Sequence, residues 1–363
     1  MSLLKKLFTK KEKPVKSNED FWIWFRKYEK DFFKVVKTNG DFEKDFFDKL
    51  SPKLAELKEG YFFLTGMINE STAELVLTAD GNIKNIAFVE ELVAAAPNIE
   101  GWAITALKQP LTIENVNISM GNYEFNSKNL NFYYTVHPNL PDEIDLTIVH
   151  EDFNEQNANA ITNGVYIFLD NYLGELNFAT TIDRLRIVGK EQLEKELIPI
   201  DKLKDFLIWR EKEFIEKYED ISHNTENDSY NMLEATLENS NPLIAVVNTE
   251  LLSWEDKASH PWILNIEVKF SPNENGLPNK DSYNQLNELE DEVLTFLTDT
   301  DGYLNIGRET ANGMREIFFA CKEFRKPSKI MYEISKKYSN RFQISFDIYR
   351  DKYWQSFNRF LGN

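Results

Sequence analysis

The chain has 363 residues, 42% hydrophobic and 13% aromatic, with a formal net charge of −18. That length exceeds one ordinary core and suits two domains of about 150 residues each, and the aromatic content excludes a disordered polypeptide. The negative field repels nucleic acid phosphates, so nucleic acid is not expected as a partner without a local basic patch. One cysteine, Cys321, excludes an internal disulfide framework and suits a reducing compartment. No stretch approaches the roughly 18 apolar residues of a membrane span. A cytoplasmic protein with no integral membrane segment is therefore expected.

Residues 1–17 read as a flexible basic tail, whose apolar content is too broken for a signal peptide. From 18 to 37, Phe21, Phe25, Tyr28, Phe32 and Val36 recur at helical spacing, and Trp22, Trp24 and Phe33 broaden the stripe. Asn39-Gly40 ends that helix. A second helix spans 42–57, with Ser51-Pro52 placed to split it. The period then changes to two. Residues 61–68 and 74–79 read as strands, 88–96 as a helix stopped by Pro97, and 102–107 as a third strand. The same strand-strand-helix-strand order recurs over 130–137, 144–150, 157–173 and 182–188, in a second unit or as part of one continuous sheet. Residues 18–189 are thus expected to form an N-terminal α+β domain. Residues 190–224, with Ile200, Leu203, Leu207, Phe214 and Tyr218 in a narrow stripe, read as a helical connector.

A C-terminal domain follows over 225–363. Residues 230–237 read as a strand, whereas 242–254 are apolar without a decisive period. Trp262, Leu264, Ile266, Val268 and Phe270 alternate with polar partners, as in a half-buried strand. Ser282 and Gln285 have capping-box spacing ahead of a helix carrying Leu286, Leu289, Val293 and Leu297. Asn312-Gly313 signals a hairpin between 303–308 and 314–324. Pro327 suits the first turn of a second helix, and Phe342, Ile344, Phe346 and Ile348 close the pattern. The order βαββαβ predicts a ferredoxin-like sandwich within an α+β protein.

Trp262, Gly276-x-Pro278, Leu289-Glu290-Asp291, Gly307-Arg308-x-Thr310, Gly313-x-Arg315 and Phe318-Phe319-Ala320-Cys321 together resemble the bacterial family known as domain of unknown function 695, over about 230–349. The resemblance implies no activity and no catalytic residues. By strand order and charge the region also resembles the ribonuclease E inhibitor protein B type, a small acidic regulatory protein. Trp22-x-Trp24-Phe25 and Ala94-Ala95-Ala96-Pro97 are similar to stretches of other uncharacterised bacterial proteins.

No catalytic constellation, cofactor motif or metal cage is present. His150-Glu151-Asp152 lacks a second histidine at ligand spacing, and Cys321 sits among apolar residues as a core thiol would. Arg308, Thr310 and Arg315 flank the hairpin turn, where two guanidiniums can grip an anion or pair with Glu309, Glu316 and Asp301. Glu288, Asp291 and Glu292 share a helix face, as an interaction surface or a plain solvated one. The sheet face opposite the helices carries Asn265, Glu267 and Lys269 rather than stacking aromatics, and reads as covered by the N-terminal domain or a partner. These features favour a non-enzymatic module that binds another protein through an acidic surface. The alternative is an enzyme or small-anion-binding protein using an arginine-lined cleft.

Overall fold

The computed structural model describes residues 13–361, so the expected basic tail lies outside the described residues as far as residue 12. Its end is packed. Val15 is buried and donates its N–H to Glu56 Oε2 at 2.8 Å, and Ser17 caps the first helix by accepting from the Asp20 N–H. The chain divides into two compact units, 1–108 and 109–363.

In the first unit, α1 (Asn18–Thr38) buries Phe21, Trp22, Trp24, Phe25, Phe32 and Val36, a stripe too wide for one neighbour. Trp22 Nε1 donates to Leu92 O at 2.7 Å, and Phe25 meets the Trp102 ring edge-on. The second helix is not split at Pro52. A π-helical turn, Glu43–Phe47, runs directly into α2 (Asp48–Leu57), placing a wide turn just before the residue that cannot donate. β1 (Phe62–Asn69) and β2 (Thr72–Thr78) form a hairpin; α3 (Ile83–Ala94) then crosses to β3 (Trp102–Ala106), which pairs parallel to β2. α3 begins five residues earlier than its apolar stripe suggests, because the Asn82 side chain caps it on the Lys84 N–H.

The second unit opens with a hairpin that periodicity did not reveal, β4 (Ile118–Met120) and β5 (Tyr123–Phe125), each too short to show alternation. β6 (Leu130–His137) and β7 (Leu140–His150) follow, then α4 (Ala158–Leu173), α5 (Glu175–Thr181) and β8 (Arg184–Val188). β8 pairs parallel to β7, so this unit repeats the hairpin-helix-parallel-strand topology of the first, in a separate sheet. Gly164, inside α4, is a contact requirement. A Cβ there would lie 2.0 Å from the Phe125 ring. The expected helical connector is α-helical only in α6 (Leu203–Tyr218); before it, β9 (Ile198–Pro199) pairs with β6. Ile200, Leu203 and Leu207 join the core under this sheet, so the segment is part of the fold.

The remainder is a six-stranded sheet. β10 (Tyr230–Thr236) and β11 (Pro242–Asn248) form a hairpin, and α7 (Thr249–Leu252) uses the rest of the ambiguous apolar run. β12 (Trp262–Lys269), α8 (Lys280–Phe296), β13 (Tyr303–Ala311), β14 (Met314–Cys321), α9 (Arg325–Tyr338) and β15 (Gln343–Arg350) carry the βαββαβ order. The strand order is β10-β11-β13-β14-β12-β15, antiparallel throughout. α8 is capped by Asn279 on the Ser282 N–H, not by a Ser282–Gln285 box. Asn312 and Gly313 both have positive φ, the geometry of a two-residue type I′ turn.

The face opposite α8 and α9 is covered in part by the chain itself. Trp354, Phe357 and Phe360 pack on Ala245, Val247, Ile263, Phe318 and Ala320. Neither a second domain nor a partner is needed over that half, and β12 is consequently buried on both sides at Ile263. Asn265, Glu267, Lys269, Gln343 and Ser345 lie beyond the cover, with Ser345 bonded to Glu267.

Candidate functional site

The site is set by one bulge. Between Asn305 and Gly307 the β13–β14 register shifts, so Arg308 and Thr310 emerge on the α8 side of the sheet, where Arg315 of β14 also lies, and Glu309 on the other. Gly307 has φ +137°, and a Cβ there would lie 2.3 Å from Val246 O. Only glycine fits this backbone and this approach. Without the bulge, Glu309 would occupy the helix side.

Glu290 comes down from α8 between the two arginines. Arg308 Nη1 lies 2.7 Å from Glu290 Oε1 and Arg315 Nη1 3.4 Å from Oε2. Arg315 also donates to Asn287 Oδ1 at 2.8 Å and to Thr310 Oγ1 at 3.3 Å, and its guanidinium lies 5.4 Å from the Tyr283 ring centroid. Its side chain is 2% exposed. Burial pulls Arg315 down to about 10; Glu290 opposes that and Arg308 adds to it. It therefore stays charged at neutral pH. Tyr283, Asn287 and Glu290 follow i, i+4, i+7 spacing, one face of α8.

Of the acids expected to neutralise the arginines, none is the main partner. Glu309 faces the other side and pairs with Arg359, and Asp301 pairs with Lys326. Glu290 does the work because it lies inside the apolar stripe of Leu286, Leu289 and Val293. A carboxylate at that position of the pattern was the available signal, and only the partner's identity was hidden.

A cavity of about 250 Å³ lies beside the arginines, walled by Met232, Ile244, Val246, Leu277 and Pro278. Two guanidiniums against one carboxylate leave an excess positive charge at an apolar wall. Among the described residues, the titratable ones lining this cavity are Tyr283 and the two arginines. That supports recognition of an acidic group better than acid–base chemistry.

The acidic helix face is divided. Glu288 pairs with Arg341 at 3.1 Å, and Glu292 with Lys337 at 2.6 Å and the Tyr338 hydroxyl at 2.7 Å; Asp291 is exposed. The Lys337 hydrogen bond holds Glu292 below the usual carboxylate range, against its burial. Glu292 thus joins α8 to α9, and Glu288 joins α8 to the loop that follows α9.

Cys321 is fully buried, and burial pushes its thiol upward, away from the reactive thiolate. His150 is buried, with Nε2 2.9 Å from Glu124 O and Nδ1 accepting the Asp152 N–H. Both ring nitrogens are engaged within the fold. Among the described residues no group of three His, Cys, Asp or Glu could hold a metal ion, and no helix is long and apolar enough to cross a membrane.

Fold and site define an α+β chain whose C-terminal sheet carries an arginine-lined cavity. Residues 228–362 match the family of unknown function DUF695, in agreement with the resemblance drawn from the motifs of β12 to β14. No curated protein and no solved structure matches the chain.

Proposed function

We propose that this is a cytoplasmic, non-enzymatic module that captures an extended segment of another protein along β10. The carrying observation is the exposed edge of the six-stranded sheet next to the Arg308–Arg315 cavity. β10 stands at the end of the strand order, and six of its seven residues are exposed. An unpaired edge is a template for strand addition, in which main-chain bonds give affinity and pockets for alternate side chains give specificity. Met232, 67% exposed, is both on β10 and on the cavity wall. The complementary segment alternates apolar residues with an acid that reaches Arg308. The acidic face of α8 is left out of this reading because Glu292 is paired with α9 and Glu288 with Arg341 just after it. A free small anion is disfavoured because, with Glu290 bridging both arginines, the single excess charge is a weak hold without the main-chain bonds that an added strand supplies.

Selection of displayed random peptides on the intact chain tests this. Enriched peptides should alternate apolar and acidic residues and bind Met232→Glu about tenfold more weakly or worse, a loss of about 1.4 kcal/mol. Enrichment indifferent to Met232→Glu and to Arg308→Ala would overturn the reading.

A further inference from the structure

In the 1–108 unit, β1 stands at one end of the strand order β1-β2-β3, and among the described residues no strand lies along its outer side. Its sequence, Phe62–Asn69, holds no charged residue and no proline. The edge strands of the other sheets differ: β8 carries Arg184 and Arg186, β10 carries Glu234, and β15 carries Asp347 and Arg350. Charges of that kind keep sheet edges from joining, and β1 lacks them. We propose that β1 pairs antiparallel with β1 of a second copy of this chain, joining two three-stranded sheets into one about a two-fold axis.

The side chains beside this edge are apolar and open. Phe62, Leu64 and Ile68 are 51%, 50% and 55% exposed. Phe47, 41% exposed, stands against Phe63 on the helix side, with ring centroids 5.4 Å apart. These four leave on the order of 350 Å² of side chain in water per copy. Counted on both copies, and with the two main chains, pairing reaches the ~1,000 Å² that a specific interface needs.

Gly66 indicates what lies across the edge. Glycine weakens a strand interior, and its presence there often marks the close approach of another backbone. The Gly66 backbone does not have positive φ, and a Cβ at this position would meet nothing within 4 Å. Nothing in this chain's own packing therefore requires glycine. In an antiparallel pair centred on Thr65, Leu64 of each copy falls opposite Gly66 of the other, which leaves room for the leucine, and Phe62 falls opposite Ile68. The same match repeats on both sides of the axis, as an isologous interface requires. The register shift against β2 lies between Met67 and Asn69, at the end of the strand, so residues 62–67 are regular.

Charge permits a second copy here and opposes it elsewhere. Residues 1–108 hold 17 Lys and Arg and 17 Asp and Glu, so the whole net charge of −18 belongs to 109–363. Two copies repel through the second unit and not through the first. An uncharged strand also offers a charged foreign segment no pairing, whereas it matches itself.

Sedimentation equilibrium of the intact chain from about 1 to about 100 µM tests the proposal. The mass should rise from the 42.5 kDa of one chain to twice that. Leu64→Lys and Ile68→Lys, both at exposed positions, should each weaken association about tenfold or more with unchanged circular dichroism. Met232→Glu, on β10, should leave association unchanged, which separates this edge from the peptide-binding one. Hydrogen exchange of the β1 amides should slow as the dimer forms. A mass of 42.5 kDa throughout, or association indifferent to both lysine variants, would overturn the proposal. So would β1 amides that exchange as fast in the dimer as in the monomer. A chain that associates only as the Leu4→Lys, Leu7→Lys double variant would assign the edge to the N-terminal segment instead, which also overturns it.

Discussion

The buried histidine His260 shows how an unremarkable residue becomes a pH liability. Its ring is fully buried, with Nδ1 2.9 Å from Ser259 Oγ and Trp254 packed beside it. Burial pulls it down to about 3, and the charges of Lys322 and His223 push in the same direction. A histidine whose folded value lies below its unfolded value, about 6.5, leaves the unfolded state binding more protons between the two. Its favourable contribution is complete above pH 6.5 and is lost as pH falls toward 3. Urea unfolding at pH 7 and pH 4.5 should show this loss, with a slope approaching about 1.4 kcal/mol per pH unit from His260. His260→Gln should flatten that limb, and an unchanged limb would show that other groups carry it. The four histidines were visible in the sequence, but nothing local distinguished His260. Its burial depends on Trp254 and on Trp354, whose indole donates to the His260 carbonyl from 94 residues away.

Among the elements, β13 determines what the groove presents. The Asn312-Gly313 turn was legible because both positions require positive φ, which few other residue pairs tolerate. The bulge was less so. Gly307 stood in a motif, yet strict alternation would place Glu309 rather than Arg308 toward α8. Gly307→Ala should cost about 3 kcal/mol, from positive-φ strain and collision with the β11 backbone, read as a lower urea midpoint. Arg308→Ala alters no backbone and should cost less. Equal costs would mean that the bulge is not what Gly307 is needed for. α6 makes the complementary point. Its stripe of Leu203 and Leu207 was legible, but the same stripe serves a free connector or a docked helix, and only contact with Ile200 and the β6–β7 sheet decides.

In the molecule as a whole, the four-stranded and six-stranded sheets of the 109–363 unit are joined by a buried polar seam. Asp183 accepts the Ile144 N–H at 2.7 Å and lies 2.8 Å from Lys352 and 3.2 Å from Arg350. Asp142 accepts hydrogen bonds from Tyr218, Tyr353 and Lys217; burial pushes it upward, but these bonds outweigh it and hold it low. Removing one member of such a network strands its partners. Asp183→Asn should therefore destabilise this unit by about 3 kcal/mol. Hydrogen exchange should accelerate in both β7 and β15, since the seam touches both. Acceleration confined to β15 would show that the two sheets unfold separately.

From the sequence alone came whatever a single element's periodicity or a turn's backbone can report: the wide stripe of α1, the alternation of β12, the hairpin at Asn312-Gly313, the βαββαβ order and the core position of Cys321. Each depends on residues within a few positions of one another. The tertiary structure decided which distant groups meet. It placed Glu290 between Arg308 and Arg315, folded Trp354, Phe357 and Phe360 over a face read as covered by the N-terminal domain or a partner, and gathered five cations at one cavity. Such contacts join residues separated by 18 to more than 100 positions, over which local pattern carries no information about proximity; they exist only once the packed elements have fixed one arrangement of their faces.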